Sequence, residues 1–257
     1  MKPTLKLWNQ NAPLVIGHRG ASYDAPENTL AAFRLARDLG ADAIEFDAKL
    51  SRDGVVVIHH DRTLDRTTDG SGPLSAQSFE SLRELDAGMA FHLSFRGERI
   101  PTLEEVAQEV GRDLLLNIEL TNYAAPFDPL PLRVIEIVRK FRLEDRVLLS
   151  SFNPFALRLA RKHAPDLSVA LLVMPQQPKL LRAMLRHCCT FDAYHPHISM
   201  LDEAATATAL HAGPVNLWTV NDEADVRRCV GKGVDGIITD RPDWARTVIE
   251  EALDKGF

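Results

Sequence analysis

Short runs of apolar, mostly β-branched residues alternate along this chain with longer segments whose apolar positions recur every three or four residues. The short runs predict strands over 14–17, 43–47, 55–59, 114–120, 146–151, 168–173, 191–195, 215–220 and 236–239. Helical periodicity fills most of the intervals between them. Asn28 is placed to cap a helix carrying Leu30, Phe33, Ala36 and Leu39, with Gly40 as its stop. "TLEE" at 102–105 reads as a capping box, in which Thr102 and Glu105 satisfy each other's unpaired amides. "NPFALRLARKHAP" and "RPDWARTVIEEALDKG" each carry Pro where a first helical residue belongs.

Strand–helix alternation over such a length predicts an α/β protein with a parallel sheet and helices outside it. Nine strand candidates are one more than the eight of a (β/α)8 TIM barrel, and the spacing identifies the extra one. Only "SRDG" separates 43–50 from 55–60, too short for a parallel crossover and suited to a hairpin. The second barrel strand is therefore expected to run past the rim, turn, and return as an antiparallel arm. The segment over about 61–100 is rich in Asp, Thr, Ser and Gly without clear periodicity, and reads as a small insertion over the C-terminal face. No linker, low-complexity run or internal repeat is visible, so 1–257 reads as a single domain.

Composition changes this picture little. At 257 residues, 45% hydrophobic and 26% charged, the chain has the make-up of a soluble globular protein. Its net charge of −6 argues against a nucleic-acid partner or an anionic membrane surface, so any phosphate ligand needs a local cluster of cations. The opening "MKPTLKLWNQNAP" lacks the apolar core of a signal peptide. No apolar run approaches the roughly 18 residues of a membrane helix, and no stable membrane association is expected. Three cysteines, two of them the adjacent Cys188 and Cys189, form no disulfide framework or spaced metal motif, which suits a reducing cytoplasm. Oligomeric state leaves no mark on the sequence.

The chemistry starts with carboxylates in unexpected places. In "DAIEFDAKL", Glu45 and Asp47 share one face of a strand, while Ile44 and Phe46 face the other way. Glu119 ends another apolar strand in "LLLNIEL". Three acids at strand ends repel one another unless a cation neutralises them. Oxygen ligands without cysteine favour a hard ion, Mg²⁺ or Ca²⁺, over zinc. If the hairpin turns on two residues, either register puts His60 on the carboxylate face and His59 on the other; a three-residue loop would exchange them. Asp61 is placed either to orient His60 or to begin a turn. His18 and Arg19 follow the first strand in "LVIGHRGASYDAPENTLAAF", flanked by glycines that allow close approach. Two histidines, three carboxylates and an arginine suit cleavage of a phosphate ester: the guanidinium binds phosphate oxygens, a metal neutralises charge, and the imidazoles exchange protons.

"GHRGASYDAPENTLAAF", "GADAIEFDAKLSRDGVVVIHHDRTLDRTT", "IPTLEEV", "NIEL", "LLSSF", "LWTVN" and "DGIITDRPD" follow one another as in the glycerophosphodiester phosphodiesterases, which the chain resembles from about residue 14 to 243. The resemblance, to the bacterial cytosolic type, implies a TIM-barrel hydrolase with one divalent metal ion, converting glycerophosphodiesters to sn-glycerol 3-phosphate and an alcohol. By the same resemblance His18 and His60 form the acid–base pair, Arg19 contacts phosphate, and Glu45, Asp47 and Glu119 hold the metal. Glu27 falls where it would hold the His–Arg pair, or where a first-turn helix acid is favoured. The implied route passes through a cyclic phosphate, formed by the glycerol 2-hydroxyl and opened by water. One departure stands out: where many members carry Lys two residues after the "NIE" glutamate, this chain has Thr121. Trp218 and His195 are further candidates to line the substrate pocket, with His197 on the same face as His195. Phe91 and Phe95, in the insertion, either cover substrate or anchor their loop. The alternatives are a phospholipase D-type reaction on lysophospholipids and a non-catalytic phosphodiester-binding barrel. The head-group alcohol, Mg²⁺ against Ca²⁺, and which histidine acts first as base are not legible.

Overall fold

Each apolar run becomes a strand: β1 (Leu14–His18), β2 (Ala43–Leu50), β3 (Val56–Ile58), β4 (Leu115–Leu120), β5 (Val147–Ser151), β6 (Ser168–Val173), β7 (Ala193–Pro196), β8 (Asn216–Leu217) and β9 (Gly236–Thr239). The computed structural model describes Lys2 and residues 12–256, leaving aside the side chains of Arg186 and His187. The opening segment, read above for a leader, thus lies almost wholly outside the described residues. Eight strands run parallel in the order β7-β6-β5-β4-β2-β1-β9-β8, and parallel bridges Tyr194↔Val215 and His197↔Trp218 join β7 to β8 and close the ring. The ninth, β3, pairs antiparallel with the end of β2, as the short "SRDG" connection requires.

The helices are α1 (Leu30–Asp38), α2 (Phe79–Arg83), α3 (Leu103–Glu109), α4 (Leu130–Phe141), α5 (Pro154–His163), α6 (Lys179–Cys188), α7 (Ala204–Leu210), α8 (Glu223–Lys232) and α9 (Pro242–Asp254). Thr102 and Glu105 form the capping box of α3, and Pro154 and Pro242 begin α5 and α9. The cap of α1 differs from expectation. Thr29, not Asn28, accepts the Ala32 amide, because Asn28 sits in the left-handed region at φ 60° with its side chain turned to β2. Strand β8 is also shorter than its apolar run. Beyond Leu217 the pairing continues as separate contacts, the Ile198 amide on the Trp218 carbonyl at 2.6 Å and the Val220 amide on the Ile238 carbonyl at 2.9 Å.

Alternation along β2 decides what lines the barrel. Ala43 joins Leu14, Ile16, Leu115, Leu148, Ala170, Ala193 and Ile238 in an apolar plug inside the ring. Ile44, Phe46 and Ala48 face the helices, and Phe46 packs on Phe33 of α1 at 5.4 Å between centroids. Burying a side chain of that size contributes about 1.5–3 kcal/mol and sets how β2 sits against α1. The inward row of β2 continues above the plug with Glu45, Asp47 and Lys49, towards the C-terminal mouth.

Residues 59–102 leave β3, fold back and return to α3. They are not structureless: they carry α2, two 3-10 turns at Leu74–Ala76 and Leu93–Phe95, and a small apolar cluster of Leu64, Leu74, Leu82, Ala87 and Ile100 on Val57. Among the described residues no helix is long and apolar enough to cross a membrane.

Candidate active site

The parallel register puts the three acids side by side. His18 pairs with Glu45 across β1–β2, and Asp47 with Glu119 across β2–β4. One ligand oxygen from each of Glu45, Asp47 and Glu119 lies within 4.8 Å of the others. Three ionised carboxylates at that spacing need a cation, and their oxygens suit a hard divalent ion. Burial, then Asp47, then Glu119 push the Glu45 carboxyl well above its ordinary range. Burial and Asp47 raise Glu119 to about 8, against a hydrogen bond from the Tyr123 hydroxyl. Asp47 goes the other way: burial would raise it, but Arg19, His60 and Asn28 hold it below its usual range.

Arg19 owes its position to the glycines around it. It has φ 54°, and Gly20 follows at φ 88°. A Cβ on Gly17 would lie 2.8 Å from Gly20 O, and one on Gly20 would lie 2.7 Å from the backbone of Ala32. Only glycines let β1 turn this tightly onto the start of α1. The Arg19 amide then donates to Glu45 Oε2 (3.2 Å), Nη1 donates to Glu27 Oε1 (2.9 Å), and Nε lies 3.4 Å from Asp47 Oδ2. Burial disfavours the Arg19 charge, but Asp47, Glu27 and Glu45 outweigh it.

Both predicted histidines are held by an aspartate. His18 Nδ1 lies 2.6 Å from Asp240 Oδ1, and His60 Nδ1 lies 2.6 Å from Asp61 Oδ1. The hairpin register behind His60 is not either of the expected ones. Ser51 N bonds Val55 O and Ala48 pairs with Ile58, so the loop is the three residues Arg52, Asp53 and Gly54. Strict alternation would then exchange the histidines. It does not hold, because the strand ends at Ile58. Beyond it both rings lie within Coulombic reach of Asp47, but His59 is buried with Nε2 3.0 Å from Thr63 O, whereas His60 is exposed and held by Asp61.

Ion pairs run round the mouth. Arg66 donates to Asp61 Oδ2 (2.7 Å) and to both Glu27 oxygens (2.7 and 2.8 Å), so His60, Asp61, Arg66, Glu27 and Arg19 form a continuous chain. Trp218 is partly buried, with Nε1 donating to His195 O (2.9 Å) and its ring edge-on to Phe152 and His197. His195 is closed off from solvent. It is fully buried, its Nε2 lies 2.9 Å from Asn216 Nδ2, and burial pushes it down to about 3, so substrate contact finds no support in its placement. His197 bonds Ser199, while Phe91 and Phe95 stack edge-on within the insertion.

Five residues at the site were absent from the sequence reading, or misread in it. Asp240 directly follows the last strand, which neighbours β1 in a closed ring. Lys49 is two residues beyond Asp47 on the same face. Asn28 looked like a cap, but its Nδ2 donates to Asp47 Oδ2 (2.9 Å). Arg66 and Tyr123 carry no sequence signal for their contacts.

Residues 18–244 match the model of the glycerophosphoryl diester phosphodiesterase family. A glycerophosphodiester phosphodiesterase of Caldanaerobacter subterraneus subsp. tengcongensis is 40% identical over 234 residues, covering 90% of this chain and 95% of that one. One of Bacillus altitudinis is 36% identical over 244 residues, covering 92% and 98%. Among solved structures, an Oleispira antarctica phosphodiesterase in complex with the product sn-glycerol-3-phosphate superposes with a TM-score of 0.85 at 34% identity, covering 93% of this chain and 97% of that one.

Proposed function

The chain belongs to the glycerophosphoryl diester phosphodiesterase family, and from that premise we propose how its residues divide the work of hydrolysing glycerophosphodiesters to sn-glycerol 3-phosphate and a free alcohol. One observation carries the assignment: two imidazoles, each held at Nδ1 by an aspartate at 2.6 Å, stand beside a cluster of three carboxylates. An aspartate on Nδ1 keeps the neutral ring's proton there and leaves Nε2 as the atom that exchanges protons with substrate. One histidine accepts the proton of the attacking glycerol 2-hydroxyl, and the other protonates the departing alcohol. The resulting cyclic phosphate is opened by water with the two roles reversed.

Arg19 offers its guanidinium to the phosphate, steadied by Glu27 and, through Glu27, by Arg66. Glu45, Asp47 and Glu119 are the residues that would hold one Mg²⁺ or Ca²⁺, which when bound neutralises charge on the phosphoryl oxygens. Trp218 gives the glycerol an apolar wall. Asp61 and Arg66 tie the insertion into the same catalytic unit. The free thiols of Cys188 and Cys189 suit a reducing cytoplasm.

The test is release of sn-glycerol 3-phosphate from glycerophosphocholine and glycerophosphoethanolamine after EDTA treatment, with Mg²⁺ or Ca²⁺ restored. Turnover should return with metal, and His18→Ala and His60→Ala should each lower it by about 10²–10⁴-fold. A folded wild-type protein inactive with both ions, or histidine variants of full activity, would overturn the assignment.

A further inference from the structure

Arg19 and Lys49 both lie within Coulombic reach of Asp47 and Glu119, and they are used differently. The Arg19 guanidinium is engaged by Glu27 and Asp47. Lys49, on the inward row of β2, is only partly buried, and its hydrogen-bond partner among the described residues is a neutral oxygen, Thr121 Oγ1 at 2.8 Å. Thr121 Oγ1 itself donates to Ala48 O at 2.7 Å, so its proton is committed and a lone pair is aimed at the ammonium. This contact positions the Lys49 charge without neutralising it. Burial holds the ammonium below its ordinary range, Asp47, Glu119 and Asp61 pull the other way across space, and among the described residues none of these acids forms an ion pair with it. Lys49 and Thr121 also line a cavity of about 510 Å³, with Arg62, Leu74, Ser75 and Asn122, so the ammonium borders open space; the two histidines, Arg19 and the three acids lie outside that lining. A partly buried ammonium held by one neutral group retains N–H donors for an anion.

We propose that Lys49 is a catalytic phosphate-binding residue, donating to a non-bridging oxygen of the substrate phosphoryl group and balancing the charge that builds there as the alcohol departs. The proposal rests on the phosphodiesterase reading above. The competing role is purely structural, a brace between the ends of β2 and β4. Geometry separates the two. Thr121 N bonds Ala48 O, so positions 49 and 121 are lateral neighbours, and a lysine from either strand reaches the same point.

The experiment compares wild type, Lys49→Met, and Lys49→Met combined with Thr121→Lys. It measures kcat and KM on glycerophosphocholine, and binding of sn-glycerol 3-phosphate by calorimetry. Lys49→Met should lower kcat/KM about 10- to 100-fold and weaken product binding about tenfold, the size of a lost charge-assisted hydrogen bond. The double variant should recover most of both. Lys49→Met within about twofold of wild type on both measures, or a loss that the relocated lysine does not recover in a folded protein, overturns the proposal. If Lys49→Met does not fold, the exchange of Lys49→Thr with Thr121→Lys carries the test: activity within about tenfold of wild type supports the role, and greater loss refutes it. A wild type that binds product but hydrolyses nothing overturns the hydrolase reading instead, and the calorimetry then decides on Lys49 alone.

Discussion

Replacing one of the three acids proposed to hold the metal by its neutral isostere should stabilise this protein in the absence of metal, and Glu119→Gln is the clearest case. Glu119 faces two acids, with ligand oxygens within 4.8 Å of one another. Two unit charges at that spacing repel by about 3.5 kcal/mol at an effective dielectric of about 20. Arg19 and Lys49 offset part of this, and the folded protein avoids more by keeping Glu119 protonated up to about pH 8. An unfolded glutamate titrates near 4.3. A carboxyl whose folded value is raised contributes its full share of stability below the unfolded value, and loses it as pH climbs to the folded one. Metal-free wild type should therefore lose stability from about pH 4.5 to 8, and Glu119→Gln should lose less. If about 1–2 kcal/mol of the repulsion survives relaxation, the variant melts about 3–6 °C higher at pH 8 in EDTA, and level with wild type at pH 5. Saturating Mg²⁺ or Ca²⁺ should invert the order. A cation at about 100 times its Kd adds about 2.7 kcal/mol to wild type, and less to a variant with one ligand gone. Scanning calorimetry at both pH values measures this. A variant that melts below wild type at pH 8 in EDTA, or gains as much from the cation, would refute the electrostatic account.

Two further substitutions probe the groups around the acids. Gly20→Ala forces a side chain into φ 88° with its Cβ 2.7 Å from Ala32, which should cost about 3 kcal/mol and lower Tm by about 6–12 °C; an unchanged melting curve would contradict it. Asp240→Asn keeps the shape but removes the charge at His18, and should lower kcat about 100-fold with little change in KM, as steady-state kinetics will show. Burial works against the Asp240 charge, but His18, Ser22 and Asn221 hold its carboxyl below the usual range. Its stabilising share is thus present above about pH 4 and lost as pH falls through the folded value, so Asp240→Asn should flatten the acid limb of a plot of Tm against pH.

The architecture was legible because its signals are local. Apolar runs alternating with helical periods predicted nine strands, and one connection too short for a crossover marked β3 as the arm outside the ring. The inward row of Glu45 and Asp47 was equally legible, since period-2 alternation follows from backbone geometry and needs no knowledge of the fold. The same rule stopped working at His59 and His60, because it holds only while the strand lasts. Where β3 ends is decided by what surrounds it, including the Pro101 carbonyl that takes the Ile58 amide and the Thr63 carbonyl beside His59.

Side-chain partnerships were decided only in three dimensions. Asn28 has the composition of a cap, yet bonds Asp47 because closing the barrel brings the start of α1 against β2. Asp240 meets His18 across 222 positions, and Lys49 meets Thr121 across 72. Residue order alone settles which positions carry charge, which strands hold them and, for as long as a strand lasts, which face they share. The tertiary structure decided which charges are neutralised and by what, because ring closure and loop packing bring together groups whose separation along the chain carries no periodicity to read.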